Sequence, residues 1–303
     1  MRTMNASDPS PSRMVLPSPD TPIIVATDGR PPSDAALVMG RVLCDDPRAI
    51  RTVTVIRPVP AFPDGPASVN ADVETTRRAD AKRRVVSQMR RVWPYDTEIE
   101  IYDGDPARVL GSVAREANAS LIVAGIGRHQ VPDRLFGSET VLRLIRVADR
   151  PVLAVADAAR ERPRRIVVAT DFSETSERAA SLALEIAGRG AAVFLTHVAP
   201  RDTSTYATEG MRDAYHQAAR DALRQMRDRL GVRQCAAIET LQLCGDPAVE
   251  LLAFAGSVGA DLIATGSHGH GVVVRMLIGS VATKLIRLAT CSVLTVPHSA
   301  VAS

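Results

Sequence analysis

The sequence lacks the features that mark several large classes of protein. Its 303 residues contain no uninterrupted apolar run of about 18 residues, so a transmembrane helix is not expected. Acidic and basic residues nearly balance, and the formal net charge of +3 argues against a dedicated nucleic-acid binder. The phosphate-loop pattern G-x4-G-K-[ST], a dinucleotide pattern G-x-G-x-x-G after a first strand, and the hydrolase pattern G-x-S-x-G are missing as well.

Cysteine is also scarce. Cys44, Cys235, Cys244 and Cys291 occur, and none of them belongs to a CxxC pair or to a zinc-like spacing. Together with the lack of a secretion signal, this usage predicts a reducing, cytoplasmic location. Residues 1–20 are rich in Pro and Ser and have no apolar core, so they are expected to form a disordered leader rather than a signal peptide.

What the sequence does contain is a close similarity between its two halves. PIIVATDG matches RIVVATDF, GDPARVL matches GDPAVEL, and SLIVAGIG matches DLIATGSH, always in the same order. The offsets are 141 to 143 residues, and a tandem duplication explains them. We therefore predict two domains, at residues 21–157 and 164–298, joined at the polar segment 157–165.

Each repeat alternates short apolar runs with longer stretches of helical periodicity. Runs such as RIVVAT, AVFLTHV and DLIATG are rich in Val, Ile and Leu, as expected for parallel strands that are buried on both faces. The alternation predicts an α/β fold of two tandem doubly wound domains, each with a five-stranded, mainly parallel sheet flanked by helices. Such sheets bind ligands beyond the carboxyl ends of their strands, so functional residues should follow strands directly.

A glycine-rich loop follows one of these strands in the second repeat. Its pattern is G-x2-G-x9-G-S, formed by Gly266, Gly269, Gly279 and Ser280. Glycines let backbone N–H groups face a common anion, and the helix that Gly279 and Ser280 open adds unpaired donors. The pattern predicts a phosphate site. Taken singly, Gly266 favours a strand end and the Gly279-Ser280 pair favours an ordinary helix cap; only their combination after this strand favours phosphate binding.

Asp171 follows the first strand of the second repeat, in ATDFSET. A carboxylate would repel phosphate, so Asp171 suits a ribose hydroxyl or an adenine amino group. Asp171 and Ser173 are also residue types that cap helices, and the two roles are compatible.

These motifs resemble the universal stress protein family across essentially the whole chain, twice. ATDFSET, FLTHV, CGDPAVELL, DLIATGSHGHG and LIGSVA carry the likeness, and the glycine spacing is similar to the family's ATP-binding signature. The resemblance implies that Ala169, Thr170 and Asp171 hold adenosine and that Val198 lies against adenine. It also implies a phosphate loop made of seven residues: Thr265, Gly266, His268, Gly269, Gly279, Ser280 and Val281.

The first repeat departs from this signature. Gly125 matches Gly266, but Arg128 stands in place of Gly269, and the spacing to the next Gly-Ser pair is one residue short. Glu139 is aligned with Val281, where a carboxylate would repel phosphate and could substitute for the anion at the helix N-terminus. Arg128 could contact phosphate instead. The first domain is therefore expected to have a degenerate nucleotide site.

Other charged and metal-binding patterns are weaker. His197, His268 and His270 do not make a convincing metal centre, so no metal ligands are assigned, although Mg²⁺ is expected to accompany the nucleotide phosphates. The basic run Arg77 to Arg91 is interpreted as an exposed helix face, because no aromatic residues interleave it. No paired carboxylates flank the glycine loop, so no catalytic residue is assigned.

The resemblance implies a tandem protein that binds ATP in its C-terminal domain and acts as a nucleotide-dependent regulator of a stress response. Two alternatives stay open: an interaction module that binds no nucleotide, and a slow ATPase. The expected partners are the adenine nucleotide, a second copy of the chain and a regulatory protein, with neither nucleic acid nor membrane. The two domains are expected to pair through their last strands, PVLAV and SVLTV.

Overall fold

The structure is a computed structural model of the chain. It describes residues 17–58, 67–92, 98–127, 138–201, 208–231, 237–267 and 278–298. The predicted leader therefore lies almost entirely outside the described residues, as do Arg128, His268, Gly269 and His270.

Within the described residues, both halves contain five strands and four helices in the same order. The strands of the first half are β1 (Ile23–Ala26), β2 (Ile50–Ile56), β3 (Ile99–Asp103), β4 (Leu121–Ile126) and β5 (Val152–Ala156). Its helices are α1 (Asp34–Leu43), α2 (Ala67–Val92), α3 (Pro106–Glu116) and α4 (Ser138–Val147). The strands of the second half are β6 (Arg165–Ala169), β7 (Ala192–Ala199), β8 (Ala237–Cys244), β9 (Leu262–Gly266) and β10 (Ser292–Val296). Its helices are α5 (Glu174–Ile186), α6 (Glu209–Leu230), α7 (Pro247–Val258) and α8 (Ser280–Leu288).

All ten strands form one sheet in the order β3-β2-β1-β4-β5-β10-β9-β6-β7-β8. Pairing is parallel within each half, while β5 and β10 pair antiparallel, with Leu153 opposite Leu294. The predicted α/β class and the predicted pairing of the last strands are both confirmed. Because the order reverses direction at β1 and β4 in the first half, and at β6 and β9 in the second, each half has a switch point where a cleft can open.

Helices cover both faces of the sheet. α1, α2, α5 and α6 contribute to one apolar layer, and α3, α4, α7 and α8 contribute to the other. Each layer runs across both halves, because β5 and β10 place the two sheets edge to edge. None of the described helices is long and apolar enough to cross a membrane.

Burial separates the central strands from the outer ones. Every residue of β1, β4, β5 and β10 is buried, as the Val- and Ile-rich runs predict. The outermost strands differ, since β3 and β8 contain only half-buried and exposed residues. The expectation of burial on both faces is therefore wrong for these two edge strands, where the sheet ends and one neighbour is missing.

Arg162 ties the two halves together at their junction. Its Nε and Nη2 donate to the carbonyls of Val42 and Leu43 at 3.1 Å each, at the end of α1. Its Nη1 donates to the carbonyl of Glu185 at 3.3 Å, at the end of α5. The last carbonyls of a helix have no partner within it and carry partial negative charge, so one guanidinium stabilises two helix ends.

Candidate functional site

A cleft of about 290 Å³ opens at the switch point of the second half, beyond the carboxyl ends of β6, β7 and β9. It is lined by the ends of those strands and by the first turns of α7 and α8. The lining residues are Ala169, Thr170, Asp171, Ser176, Thr196, His197, Val198, Pro247, Leu251, Thr265, Gly266, Ser267, Gly279, Ser280, Val281 and Ala282.

The turn after β6 presents Asp171 to the cleft. Phe172 has a φ of 68°, a left-handed conformation that is uncommon outside glycine and folds the chain sharply back. Oδ1 of Asp171 accepts hydrogen bonds from the backbone N–H of Ser173 at 3.1 Å and from its hydroxyl at 2.6 Å. The N-cap of α5 is Ser173, whose hydroxyl accepts from the N–H of Ser176 at 3.2 Å. Asp171 thus stabilises the turn without being the cap itself.

Hydrogen bonds of Thr170 fix this turn. Its N–H donates to the carbonyl of Thr196 at 2.9 Å, and its hydroxyl accepts from the N–H of Phe172 at 2.9 Å. The same hydroxyl lies 3.0 Å from the hydroxyl of Ser176. These contacts join the ends of β6 and β7 to the start of α5, so the position of Asp171 is fixed by buried neighbours.

His197 forms part of the wall and is held at both ring nitrogens. Nδ1 lies 2.9 Å from the carbonyl of Thr170 and Nε2 lies 2.9 Å from the hydroxyl of Tyr215. A carbonyl only accepts, so the proton sits on Nδ1 and the Tyr215 hydroxyl donates to Nε2. Burial lowers the pKa of His197, against the opposing effects of the Thr170 hydrogen bond and of Asp171. Neither nitrogen is then available to a metal ion.

The two glycine turns of the loop are joined directly. The N–H of Gly279 donates to the carbonyl of Ser267 at 2.8 Å, and the N–H of Ser267 donates to Val296 at 2.8 Å. This corrects one detail of the predicted phosphate site, because the Gly279 amide already has an acceptor. The donors left by helix geometry are the amides of Ser280, Val281 and Ala282, and Gly279 as N-cap supplies no side-chain acceptor to them.

The opposite wall is apolar and comes from α7. Pro247 and Leu251 face the cleft, with Val198 and Ala282 nearby in the lining. Asp246 caps α7 by accepting from the N–H groups of Ala248 and Val249 at 3.0 and 3.1 Å. Sequence reasoning missed Pro247 and Leu251, although the repeated GDPA motif was the available signal.

The structure brings together the predicted site residues that it describes. Nine of them line this one cleft: Ala169, Thr170, Asp171, Val198, Thr265, Gly266, Gly279, Ser280 and Val281. The other two, His268 and Gly269, lie outside the described residues. No Lys or Arg occurs among the described lining residues, and within that part of the lining the donors to an anion are backbone amides and hydroxyls such as that of Ser280.

In the first half the helix register differs from the one expected. Buried Leu144 and Ile145 of α4 correspond to buried Leu285 and Ile286 of α8, at an offset of 141 residues. Thr140 therefore corresponds to Val281, and Glu139 does not. Glu139 instead accepts a hydrogen bond from Arg287 Nη2 at 2.7 Å, across the boundary between the halves. Glu139 nevertheless lies in the first turn of α4, and its replacement of a bound anion stays a prediction.

Side chains and backbone crowd the first-half equivalent of the cleft. Arg57 follows β2 and its Nη2 donates to the hydroxyl of Thr140 at 3.4 Å, which carries the guanidinium to the first turn of α4. A Cβ placed on Gly125 would lie 2.5 Å from the carbonyl oxygen of Pro32. The backbone after β1 is therefore packed directly against the end of β4.

Comparisons with known proteins agree with the repeat. The profile of the universal stress protein family matches residues 21–156 and again residues 163–297. A universal stress protein of Methanocaldococcus jannaschii is 34% identical over 142 residues, which are 44% of this chain and 81% of that protein. One of Mycobacterium tuberculosis is 26% identical over 229 residues, or 73% of this chain and 72% of that protein.

A solved structure extends the likeness to nearly the full length. A universal stress protein from Archaeoglobus fulgidus gives a TM-score of 0.63 at 20% identity, covering 91% of this chain and 97% of that chain. At this identity the likeness concerns the fold alone.

Proposed function

This chain belongs to the universal stress protein family and consists of two family domains in tandem; from that premise we propose that its second domain binds ATP. The observation that carries the proposal is the convergence of three separate segments on one cleft. Residues after β6, residues at the end of β7, and the described ends of the segment between β9 and α8 all contribute to its lining. Each segment supplies a different chemical group that an adenine nucleotide requires.

The adenosine end lies at Asp171 and Val198. The carboxylate of Asp171 accepts hydrogen bonds from ribose hydroxyls, and its place in the turn is fixed through Ser173. Val198, Leu251 and Pro247 offer an apolar surface to the adenine ring. Val198, Pro247 and Leu251 lie on a strand or a helix, and Asp171 is held in its turn by hydrogen bonds from Ser173, so these groups need little ordering on binding.

The phosphate end lies at the first turn of α8. The amides of Ser280, Val281 and Ala282 form the partially positive N-terminus of α8. Gly266 has no Cβ, so a phosphate can come close to its backbone. Because the described lining has no cationic side chain, a triphosphate would keep most of its charge. Mg²⁺ is therefore proposed to enter with ATP, held chiefly by phosphate oxygens and water.

The proposed biological role is nucleotide-dependent regulation of a stress response, in the cytoplasm and with a regulatory protein as partner. Cys44 and Cys244 are free thiols, which fits a reducing compartment. A second candidate is slow ATP hydrolysis. Asp171 is the only carboxylate among the described lining residues, and it is engaged by Ser173 at the adenosine end, so binding without rapid turnover is favoured.

A pair of glutamate substitutions tests the nucleotide site. Val281→Glu places a carboxylate at the first turn of α8, where it repels phosphate, and should weaken Mg-ATP binding at least about tenfold. Thr140→Glu makes the same change at the corresponding position of the first half and should leave affinity unchanged. Isothermal titration of the full chain gives both values and the stoichiometry, expected to be one ATP per chain.

The opposite pattern would overturn the proposal. If Val281→Glu binds ATP as the unaltered chain does, the cleft does not hold the phosphates. Phosphate release measured over the same samples distinguishes the slow ATPase, since turnover should disappear with binding in Val281→Glu and persist in Thr140→Glu.

A further inference from the structure

A second cavity, of about 280 Å³, lies in the first half between α2 and the carboxyl ends of β1 and β2. Its lining is rich in charge. The charged residues are Arg30, Arg57, Arg77, Arg84, Asp28 and Asp80. Four guanidinium groups and two carboxylates give a formal charge of +2, so the cavity is suited to an anion rather than to a neutral ligand.

The corresponding volume of the second half is filled by aromatic rings. Gly29 and Thr54 correspond to Phe172 and His197 at an offset of 143 residues, the offset that also relates β1 to β6. The rings of Phe172 and His197 stack with centroids 4.5 Å apart, and His197 bonds to Tyr215 on α6. In the first half, Gly29 stands in place of Phe172 and Thr54 stands in place of His197.

The third ring is replaced by an arginine. The hydroxyl of Thr27 donates to Gln88 on α2 at 2.5 Å, and the hydroxyl of Thr170 donates to Met226 on α6 at 3.4 Å. Because Thr27 and Thr170 are equivalent positions, their partners Gln88 and Met226 are equivalent as well. This equivalence fixes the alignment of α2 with α6. In that register Tyr215 corresponds to Arg77. At Gly29 the place of the Phe172 ring is taken by α2 itself, since a Cβ there would lie 2.7 Å from the Cβ of Arg84. Replacement of the other two rings by Thr54 and Arg77 accounts for part of the space and the charge of the cavity.

An unpaired buried hydroxyl lies beside the cavity. Thr54 is 1% exposed, lines the cavity, and its Oγ1 has no hydrogen-bond partner within the described residues. A buried hydroxyl without a partner is unfavourable, and structures rarely keep one unless something else satisfies it. A ligand oxygen in the cavity would supply that partner.

The arginines are available to such a ligand. Over the described ranges, neither Arg57 nor Arg84 forms an ion pair with a carboxylate, and both side chains are exposed at the mouth of the cavity. Arg77 is half-buried; it donates to the carbonyl of Arg57 at 2.7 Å and forms an ion pair with Glu74 at 3.5 Å, so Arg57 and Arg84 are the more available of the three. Guanidinium groups bind phosphate oxygens in a bidentate manner, which makes an arginine cluster a phosphate site.

We propose that the first domain binds a small phosphomonoester in this cavity, with Arg57, Arg77 and Arg84 on the phosphate and Thr54 on a ligand oxygen. A phosphomonoester carries close to two negative charges at neutral pH, which complements the lining charge. The cavity adjoins α2 and β2 rather than the glycine loop, so this ligand does not compete with ATP in the second domain.

Titration of the full chain with glucose 6-phosphate tests the proposal. The Val281→Glu chain is used throughout, so that the cleft of the second domain makes no contribution. One saturable site per chain is expected, and inorganic phosphate should compete for it whereas glucose should not. Arg57→Ala combined with Arg84→Ala should weaken binding at least about tenfold, because two charge-assisted contacts are lost.

Two further variants make the outcome decisive. Arg90→Ala removes one positive charge from the same helix outside the cavity and should keep the affinity within about twofold. Thr54→His with Arg77→Tyr rebuilds the ring pair of the second half and should abolish binding by filling the cavity. No saturable binding, or equal affinity in the double arginine variant and in Arg90→Ala, would overturn the proposal whatever the second domain does with ATP.

Discussion

At the scale of single residues, His197 shows how hydrogen bonds stabilise a buried polar side chain. It is 8% exposed, yet both of its nitrogens have partners, in the Thr170 carbonyl and the Tyr215 hydroxyl. Burial disfavours the charged ring, which holds His197 in its neutral form. The lowered pKa of His197 therefore has a structural cause in burial.

This lowered pKa predicts a pH dependence of stability. The unfolded chain has the ordinary histidine pKa of about 6.5, so it takes up a proton before the folded chain does as pH falls. The stabilising contribution of neutral His197 is complete above that value and is lost as the pH falls towards the folded pKa. The melting temperature should drop between about pH 7 and 5, and less steeply in His197→Asn, which keeps the donor to Thr170 but does not titrate.

The matching control for this measurement is His216→Asn, on the helix that carries Tyr215. It should retain most of the pH dependence of the melting temperature, because the charge of His216 is only a minor cause of the lowered pKa of His197. An unchanged slope in His197→Asn would show that acid destabilises the chain through other groups.

Single residues could be predicted from the sequence where their role depends on neighbouring positions in the chain. Asp171, Gly266 and Gly279 stand out because strands and glycine spacings are visible in the sequence. Phe172 did not, since its left-handed φ of 68° is imposed by the buried contacts around it. Arg57 was missed for the same reason, because its contact with Thr140 joins segments 83 residues apart.

At the scale of elements, the N-cap of α5 links stability to the site. Ser173 caps the helix through Ser176 and also donates to Asp171. One hydroxyl therefore sustains both the helix start and the carboxylate that faces the cleft.

Replacing two helix caps separates these roles. Ser173→Ala and Thr208→Ala each remove an N-cap, of α5 and α6 respectively, and each should lower the free energy of unfolding by about 1 kcal/mol. Only Ser173→Ala should also weaken ATP binding, by several-fold, because Asp171 loses a partner. Chemical denaturation and titration measure the two effects; equal ATP affinities would mean that the turn keeps Asp171 in place without Ser173.

Elements were more predictable than their register. The apolar runs and helical periodicity indicated each strand and helix of the second half. The relation of α4 to α8 was misjudged by one residue, because the Gly-Ser pairs suggested an offset of 142 while the buried leucines impose 141. Side-chain packing decides register, and packing partners lie on other elements. The exposure of β3 and β8 likewise follows from strand order, which no local pattern reveals.

At the scale of the whole molecule, two features join the two domains. β5 and β10 continue the sheet across the junction, and Arg162 joins the ends of α1 and α5. The segment around Arg162 looked like a simple polar linker in sequence, since its hydrogen bonds are to backbone carbonyls far along the chain.

Removing the guanidinium should loosen this coupling. Arg162→Ala deletes three charge-assisted hydrogen bonds to helix ends and should cost about 1 to 3 kcal/mol of unfolding free energy. The exposed neighbour Arg164→Ala should be nearly neutral. Calorimetry of both variants checks the difference, and a melting profile of Arg162→Ala identical to that of Arg164→Ala would contradict it.

The antiparallel seam between β5 and β10 has a consequence for how the molecule meets its surroundings. The carboxyl ends of the first-half strands open on one long edge of the sheet, and those of the second half open on the opposite edge. The proposed ATP cleft and the proposed phosphomonoester pocket thus point away from each other. A protein docked over one opening leaves the other uncovered. A single polypeptide can therefore present two different binding sites on opposite sides, which two identical subunits cannot do.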